Sequence, residues 1–363
     1  KAYEMMSCYQ GLLEYYEVTG RKELFEAAKA TANDIVKTEI NLAGGCACSE
    51  AWYHGAVKQH LPYCRLQETC VTTTWMRFCE KLLELTGDPK WADQLERTFY
   101  NVYLAAMRAD GSEFAAYTPL SGSRFYGHDH CYMHLNCCNA NGPRGFLTVL
   151  RGLAQAKGAD VFLNFYVSGS FKVKVPDLNE KVAFRTYSRY PKDGDVQIRY
   201  VDTKARKFAL NLRIPETWAK VRLELNGETR DIATTGYLRL DRTWKPGDWI
   251  TLTFEQPVAK HVLNNAVAFT RGPLLLVRAS RFADGDIASP IDVAKVDAKA
   301  LSSFVRVQSD DPTLYALFSA NLPIGLHTSD PDNGNLLRSV RFCDYASAAN
   351  AWTPTDYCRS WIP

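Results

Sequence analysis

The chain has 363 residues, a formal net charge of +3 and 46% hydrophobic residues. That length can hold two or three domains, each with its own core. No Lys/Arg run stands out, which argues against nucleic acid as a partner, and no apolar run reaches the roughly eighteen residues of a membrane-spanning helix.

The first 157 residues read as helical. Lys1-Ala2-Tyr3-Glu4-Met5-Met6 has the pattern of the inside of an amphipathic helix, so the chain is expected to begin within a larger protein. Residues 7–19 place Leu12, Leu13 and Tyr16 at helical spacing, and Gly20 follows as a C-terminal cap. Residues 23–37 repeat the pattern with Leu24, Phe25, Ala28, Ala32, Ile35 and Val36. The design returns at 78–85, which ends at Thr86-Gly87 before a helix predicted over about 89–107. Each unit is a helix, a Thr-Gly stop and a second helix, the repeated αα-hairpin of toroids and solenoids. A further helix is predicted from Pro143 to about Lys157. Two long irregular stretches, roughly 40–66 and 108–142, separate the hairpins and hold five of the seven histidines. Loops of that size are usually functional or disordered, and their aromatic and Cys/His content argues for order.

Near Gly158 the composition changes. Residues 161–167, 171–175, 196–200, 208–213 and 221–225 are strand-like, and Asn226-Gly227 and Pro246-Gly247-Asp248 are hairpin turns. A β-sandwich is expected over 158–275. Residues 276–363 form a small β module or complete the sandwich, with a strand over about 337–342.

Nine of the eleven cysteines lie between Cys8 and Cys138. An odd, irregular set argues against a disulfide scaffold and for a reducing compartment or a metal that holds several thiols. Cys8 and Cys79 read as core residues. Glu68, Cys70, Cys137 and Cys138 offer three thiols and a carboxylate, the donor set of a soft tetrahedral site that zinc suits best. Within a helix, Glu68 and Cys70 would point to opposite sides, so both are placed just before a helix starting near Thr72. Cys137 and Cys138 would diverge in a strand, so they are placed at a bend before a helix, whose dipole favours thiolate. Spacing alone leaves catalytic and structural roles for this site equally open. Glu50, in a Gly-rich loop among aromatics, is a candidate general acid, against the plainer reading of a surface glutamate. Cys46 and Cys48 read as loop residues near the site. His128, His130 and His134 alternate; they could bind sugar hydroxyls or metal, or serve as structural histidines.

These segments resemble the β-L-arabinofuranosidases of glycoside hydrolase family 127. The marks of that family are Glu-Thr-Cys, here Glu68-Thr69-Cys70, and Cys-Cys-x-x-Asn-x-x-Arg, here Cys137-Cys138-Asn139-Ala140-Asn141-Gly142-Pro143-Arg144. Ser49-Glu50-Ala51-Trp52, Leu61-Pro62 and Tyr117-Thr118-Pro119-Leu120 match further segments, as do Leu212-Arg213-Ile214-Pro215, Gly236-Tyr237-Leu238 and Arg271-Gly272-Pro273-Leu274. Asn139 and Ala140 replace two prolines of the pattern, Ser49 a glycine and Thr118 an asparagine. The resemblance covers nearly the whole chain.

The resemblance implies an α+β multidomain protein: the C-terminal half of an (α/α)6 barrel as catalytic domain over 1–157, then the β-sandwich region. It implies a retaining glycosidase that releases a pentofuranose such as β-L-arabinofuranose from plant-type glycans. Cys137 would be the nucleophile, Glu50 the acid/base, and Glu68, Cys70, Cys137 and Cys138 the zinc ligands. Tyr117, His128 and His130 would contact the sugar. The partner would be an arabinofuranosyl oligosaccharide or glycan; a homodimer is kept open, and so is the choice between cytoplasm and periplasm. The main rival is a non-catalytic, zinc-stabilised carbohydrate-binding or scaffold protein. A zinc hydrolase acting on C–N bonds ranks lower, because its His-x-Glu and Cys-x-x-Cys arrangement is absent.

Overall fold

The computed structural model describes residues 1–124, 136–325 and 337–363. The chain is an α+β protein in which the helices of a partial α/α barrel precede a β-sandwich region. The helical part begins with α1 (Ala2–Thr19) and α2 (Lys22–Thr38), followed by a short α3 (Gly55–Lys58). The second hairpin is α4 (Thr69–Thr86) and α5 (Pro89–Thr98). Gly20 and Gly87 take left-handed φ of 69° and 65°, and each N–H caps the preceding helix. Glycine adopts that conformation without steric cost, so the two Thr-Gly stops do end their helices.

Three helix boundaries differ from expectation. α4 begins at Thr69, not near Thr72. The helix expected over 89–107 is interrupted by a π-helical turn at Phe99–Tyr103 before α6 (Leu104–Ala106). The helix after Pro143 is α8 (Arg144–Gly152) and stops there, because residues 154–157 pair as a strand with 160–163. α4 is buried on nearly every side, with Trp75, Met76, Phe78 and Cys79 in the core shared with α1, α5 and α8. Several of its polar side chains are buried as well, Thr69, Thr72, Thr73 and Thr74 in the first half and Glu80 and Lys81 in the second.

Two sheets face each other across one core. The four-stranded sheet contains Arg206–Ile214 and Gly236–Trp244, and the six-stranded sheet contains Gly169–Val175, Glu180–Ser188 and Trp249–Glu255. Phe184, Phe208, Leu210, Trp244 and Leu252 fill the space between them. Asn226 and Gly227 turn Ala219–Leu225 into Glu228–Ile232, as their hairpin chemistry requires. From Val258 onward a third sheet forms; among the described residues it has eight strands, two of whose residues, Ser121 and Gly122, come from the helical half.

Arg213 joins the halves. Its side chain is fully buried and pairs with Asp93 and Glu96 on α5, both at 2.5 Å. Glu96 also accepts from the Tyr190 hydroxyl at 2.9 Å. Such a buried, multiply bonded charge cluster is strongly destabilising to break.

Candidate metal centre and acid loop

Glu68 caps α4 outside helical geometry, with φ −51° and ψ 138°, and Cys70 lies in that helix's first turn. The objection to a Glu-x-Cys pair applies only when both residues are helical. As a cap, Glu68 turns its carboxylate back over the first turn, to the same centre as Cys70. The adjacent cysteines also stand in a helix rather than before one. They open α7 (Cys137–Asn141), where the Asn136 side chain caps the Cys138 N–H. Neighbouring helical residues diverge by only about 100°, so both sulfurs can reach one point.

The four donors lie within 4.8 Å of one another. The Cys70 sulfur is 3.4 Å from that of Cys137 and 3.8 Å from that of Cys138, and Glu68 Oε1 is 3.7 Å from both. A tetrahedron with metal–sulfur bonds of about 2.3 Å and a metal–oxygen bond of about 2 Å has edges of roughly 3.5–3.8 Å. The donor set therefore fits a zinc-sized ion in both chemistry and spacing. Cys138, Cys70 and Glu68 are buried, whereas Cys137 is half-buried.

The electrostatics call for a cation. Hydrogen bonds with Cys137 and Cys70 push the Cys138 thiol far up, and burial and the Glu68 carboxylate add to this. The bond with Cys138 acts downward on Cys70, but burial and Glu68 outweigh it, so that thiol is raised too. Three thiols and a carboxylate this close cannot all ionise without a positive charge among them.

Two neighbouring segments hold Glu50 and Tyr117. Ser49 N donates to Arg65 O at 2.8 Å and Gln67 N to Ala47 O at 3.0 Å, which places the Glu50 loop beside the lead-in to α4. On the other side Thr118 N donates to Leu66 O at 3.0 Å and Thr69 N to Ala116 O at 3.1 Å, which brings up Tyr117. Burial first, then the Glu50 and Glu68 carboxylates, raise the Tyr117 hydroxyl. Tyr117 thus stands near both acids. Glu50 is 16% exposed, pairs with Lys1 Nζ at 2.5 Å and accepts the Ala2 N–H on its carbonyl at 2.8 Å. Ala47, Ser49, Glu50 and Gln67 all have φ between 47° and 70°. A cluster of left-handed, non-glycine residues is costly and typical of functional loops.

A groove of about 670 Å³ on the six-stranded sheet, lined by Lys220, Arg222, Asp231 and Glu255, is remote from this chemistry. Its ions pair with one another, Lys220 with Glu255 at 2.9 Å and Arg222 with Asp231 at 3.4 Å.

A family model for the β-L-arabinofuranosidase GH127 catalytic domain matches residues 2–150, and one for the GH127 middle domain matches residues 160–256. This chain belongs to glycoside hydrolase family 127. Among solved structures, a glycoside hydrolase aligns with TM-score 0.80 and 22% identity over 100% of this chain and 66% of its own. A GH127 β-L-arabinofuranosidase from Geobacillus stearothermophilus T6 aligns with TM-score 0.79 and 21% identity, and a GH127 β-arabinofuranosidase with 0.79 and 22%; each covers 100% of this chain and 60% of its own. The chain spans about 60–66% of these structures' lengths. No curated protein matches it.

Ser49 sits at φ 47°, a conformation glycine would adopt more freely. The Asn139 side chain accepts the Phe114 N–H at 2.7 Å. His128 and His130 lie outside the described residues. Sequence reasoning missed the amide residues that fasten the site: Asn136 and Asn139 on Phe114, and Gln67 on Thr118. Asn136, immediately before a short polar helix, carried an N-cap signal that could have been read.

Proposed function

We propose that this chain is the site-bearing part of a retaining glycosidase that releases a pentofuranose, such as β-L-arabinofuranose, from plant-type glycans. One observation carries the reading. Of four clustered donors, three are buried and Cys137 alone is half-buried, in a centre whose α4 lead-in is paired through its backbone with the Glu50 loop on one side and the Tyr117 segment on the other. Glu68, Cys70, Cys137 and Cys138 would hold zinc, which when bound keeps the sulfurs ionised near neutral pH. Tyr117, with His128 and His130, would orient the sugar.

The Cys137 sulfur attacks the anomeric carbon while Glu50 gives its proton to the departing oxygen. Glu50 then takes a proton from water as that water displaces the sulfur. Two inversions at one carbon give retention, with sulfur in place of the second carboxylate. The test is hydrolysis of a 4-nitrophenyl β-L-arabinofuranoside by this chain and by Cys137→Ser. Loss of turnover in a folded, metal-loaded variant supports the assignment, and undiminished hydrolysis sinks it. One second reading is a zinc-stabilised carbohydrate-binding protein without turnover, since a purely structural metal centre would use the same four donors. Bound zinc and bound sugar with no hydrolysis would mark it.

A further inference from the structure

Cys70 has a partner outside the donor cluster. Asn141, the last residue of α7, donates its side-chain N–H to the Cys70 sulfur at 3.0 Å. Its oxygen accepts from the Arg144 guanidinium, at the start of α8, at 2.9 Å. A guanidinium only donates, so it selects the amide oxygen and turns the amide nitrogen towards the sulfur. The elbow between α7 and α8 holds the amide in place. The Tyr103 hydroxyl donates to Gly142 O at 2.6 Å. A Cβ at Gly142 would fall 2.3 Å from the Phe114 ring, and one at Gly145 would fall 2.2 Å from the Tyr103 ring. The backbone therefore passes too close to both rings for either glycine to carry a side chain.

We propose that Asn141, oriented by Arg144, is a positioning residue that braces the Cys70 sulfur of α4 against α7 and so fixes the shape of the metal centre. Cys137 and Cys138 share α7 and move together. Cys70 comes from another helix, and the Asn141 amide ties its sulfur to theirs from the far end of α7. The bond also draws electron density from the Cys70 sulfur and reserves it as a ligand. Partners of this kind orient ligands, and their loss typically costs about 10–100-fold in metal affinity.

The inference rests on the metal reading above, and cobalt(II) tests the two separately. Cobalt affinity, measured by competition with a chromophoric chelator, and the sulfur-to-cobalt absorption bands are compared for the chain, Asn141→Ala, Arg144→Ala and Arg144→Lys. Asn141→Ala is expected to lose roughly 10–100-fold in affinity and to shift the bands. Arg144→Ala, which frees the amide to turn, should shift them in the same direction by less, and Arg144→Lys, which keeps a donor, should restore them. The Arg144 variants leave the cluster and its helices intact, so they decide the matter if Asn141→Ala folds poorly. Should the unaltered chain bind no cobalt through sulfur, the metal reading falls and the brace with it. If the chain binds cobalt and all variants match it in affinity and spectrum, the brace alone is wrong.

Discussion

The hydroxyl of Tyr345, just after the strand Leu337–Asp344 of the third sheet, lies 3.2 Å from the side-chain nitrogen of Gln67 in the helical half. The same hydroxyl reaches Thr118 O at 2.8 Å and Pro119 O at 2.9 Å. Gln67 precedes Glu68 of the donor cluster, and Thr118 follows Tyr117. One buried phenol thus fastens two loop segments of the site from a residue 278 positions beyond Gln67 in sequence. Tyr345→Phe leaves Pro119 O without its donor, while Thr118 O still accepts from the Gln67 side chain, at a cost of about 1–3 kcal/mol. The apparent thermal midpoint should fall, and zinc affinity with it. Tyr357→Phe, at a side chain 42% exposed, serves as the control and should change neither.

Some of this was legible in the sequence, and the reason differs by residue. Gly20 and Gly87 were readable because a left-handed cap is local chemistry. The donor set was readable because few other uses gather three thiols and a carboxylate. The placement of Glu68 and Cys70 before a helix was not correct, since the periodicity rule says nothing of a cap residue, whose backbone is free to turn. The strand at 154–157 was hidden because Ala-Gln-Ala-Lys favours helix, and pairing with 160–163 overrode it. The brackets around the site, Gln67 to Tyr345 and Asn141 to Cys70, join residues 278 and 71 positions apart, and no local pattern encodes such pairs.

Glu80 gives a pH prediction. It is 6% exposed on α4, and burial pushes its carboxyl up to about 7; Arg151 at 3.5 Å and Lys81 oppose this, while Glu84 and Glu14 add to it. Because the folded value is raised, the group's stabilising contribution is complete below the ordinary value of 4.5 and is lost as pH rises through about 7. Glu80→Gln is neutral throughout. Its stability relative to the unaltered chain should therefore improve between pH 5 and pH 8, by up to roughly 3 kcal/mol. Urea midpoints at the two pH values measure this, and a pH-independent difference would show that Glu80 stays ionised.

Metal binding should release protons. Without a cation the Cys138 and Cys70 thiols are raised, so near neutral pH they carry protons that a ligand must give up. Zinc affinity should consequently fall from pH 8 to pH 6. Titration calorimetry in two buffers of different ionisation enthalpy should give different apparent enthalpies. Equal enthalpies would mean that the thiols are already ionised before the metal arrives.

Glu50 is asked to act twice, first as acid and then as base, and the two duties can be separated. A leaving group that departs as a stable phenolate needs no proton, so Glu50→Gln should spare the first step for a 4-nitrophenyl glycoside. For an arabinofuranosyl oligosaccharide the departing alkoxide needs the proton, and the rate should fall by about 10²–10⁴-fold. The second step needs a base for water in either case, so the sugar should accumulate on Cys137 and be visible by mass spectrometry. Azide needs no base to attack. Adding it should release that sugar as the azide with retained configuration and restore turnover of the activated substrate. A variant equally slow on both substrates and unresponsive to azide would place the acid/base elsewhere, and the pairing of Glu50 with Lys1 at 2.5 Å would then be only a tether for the start of α1.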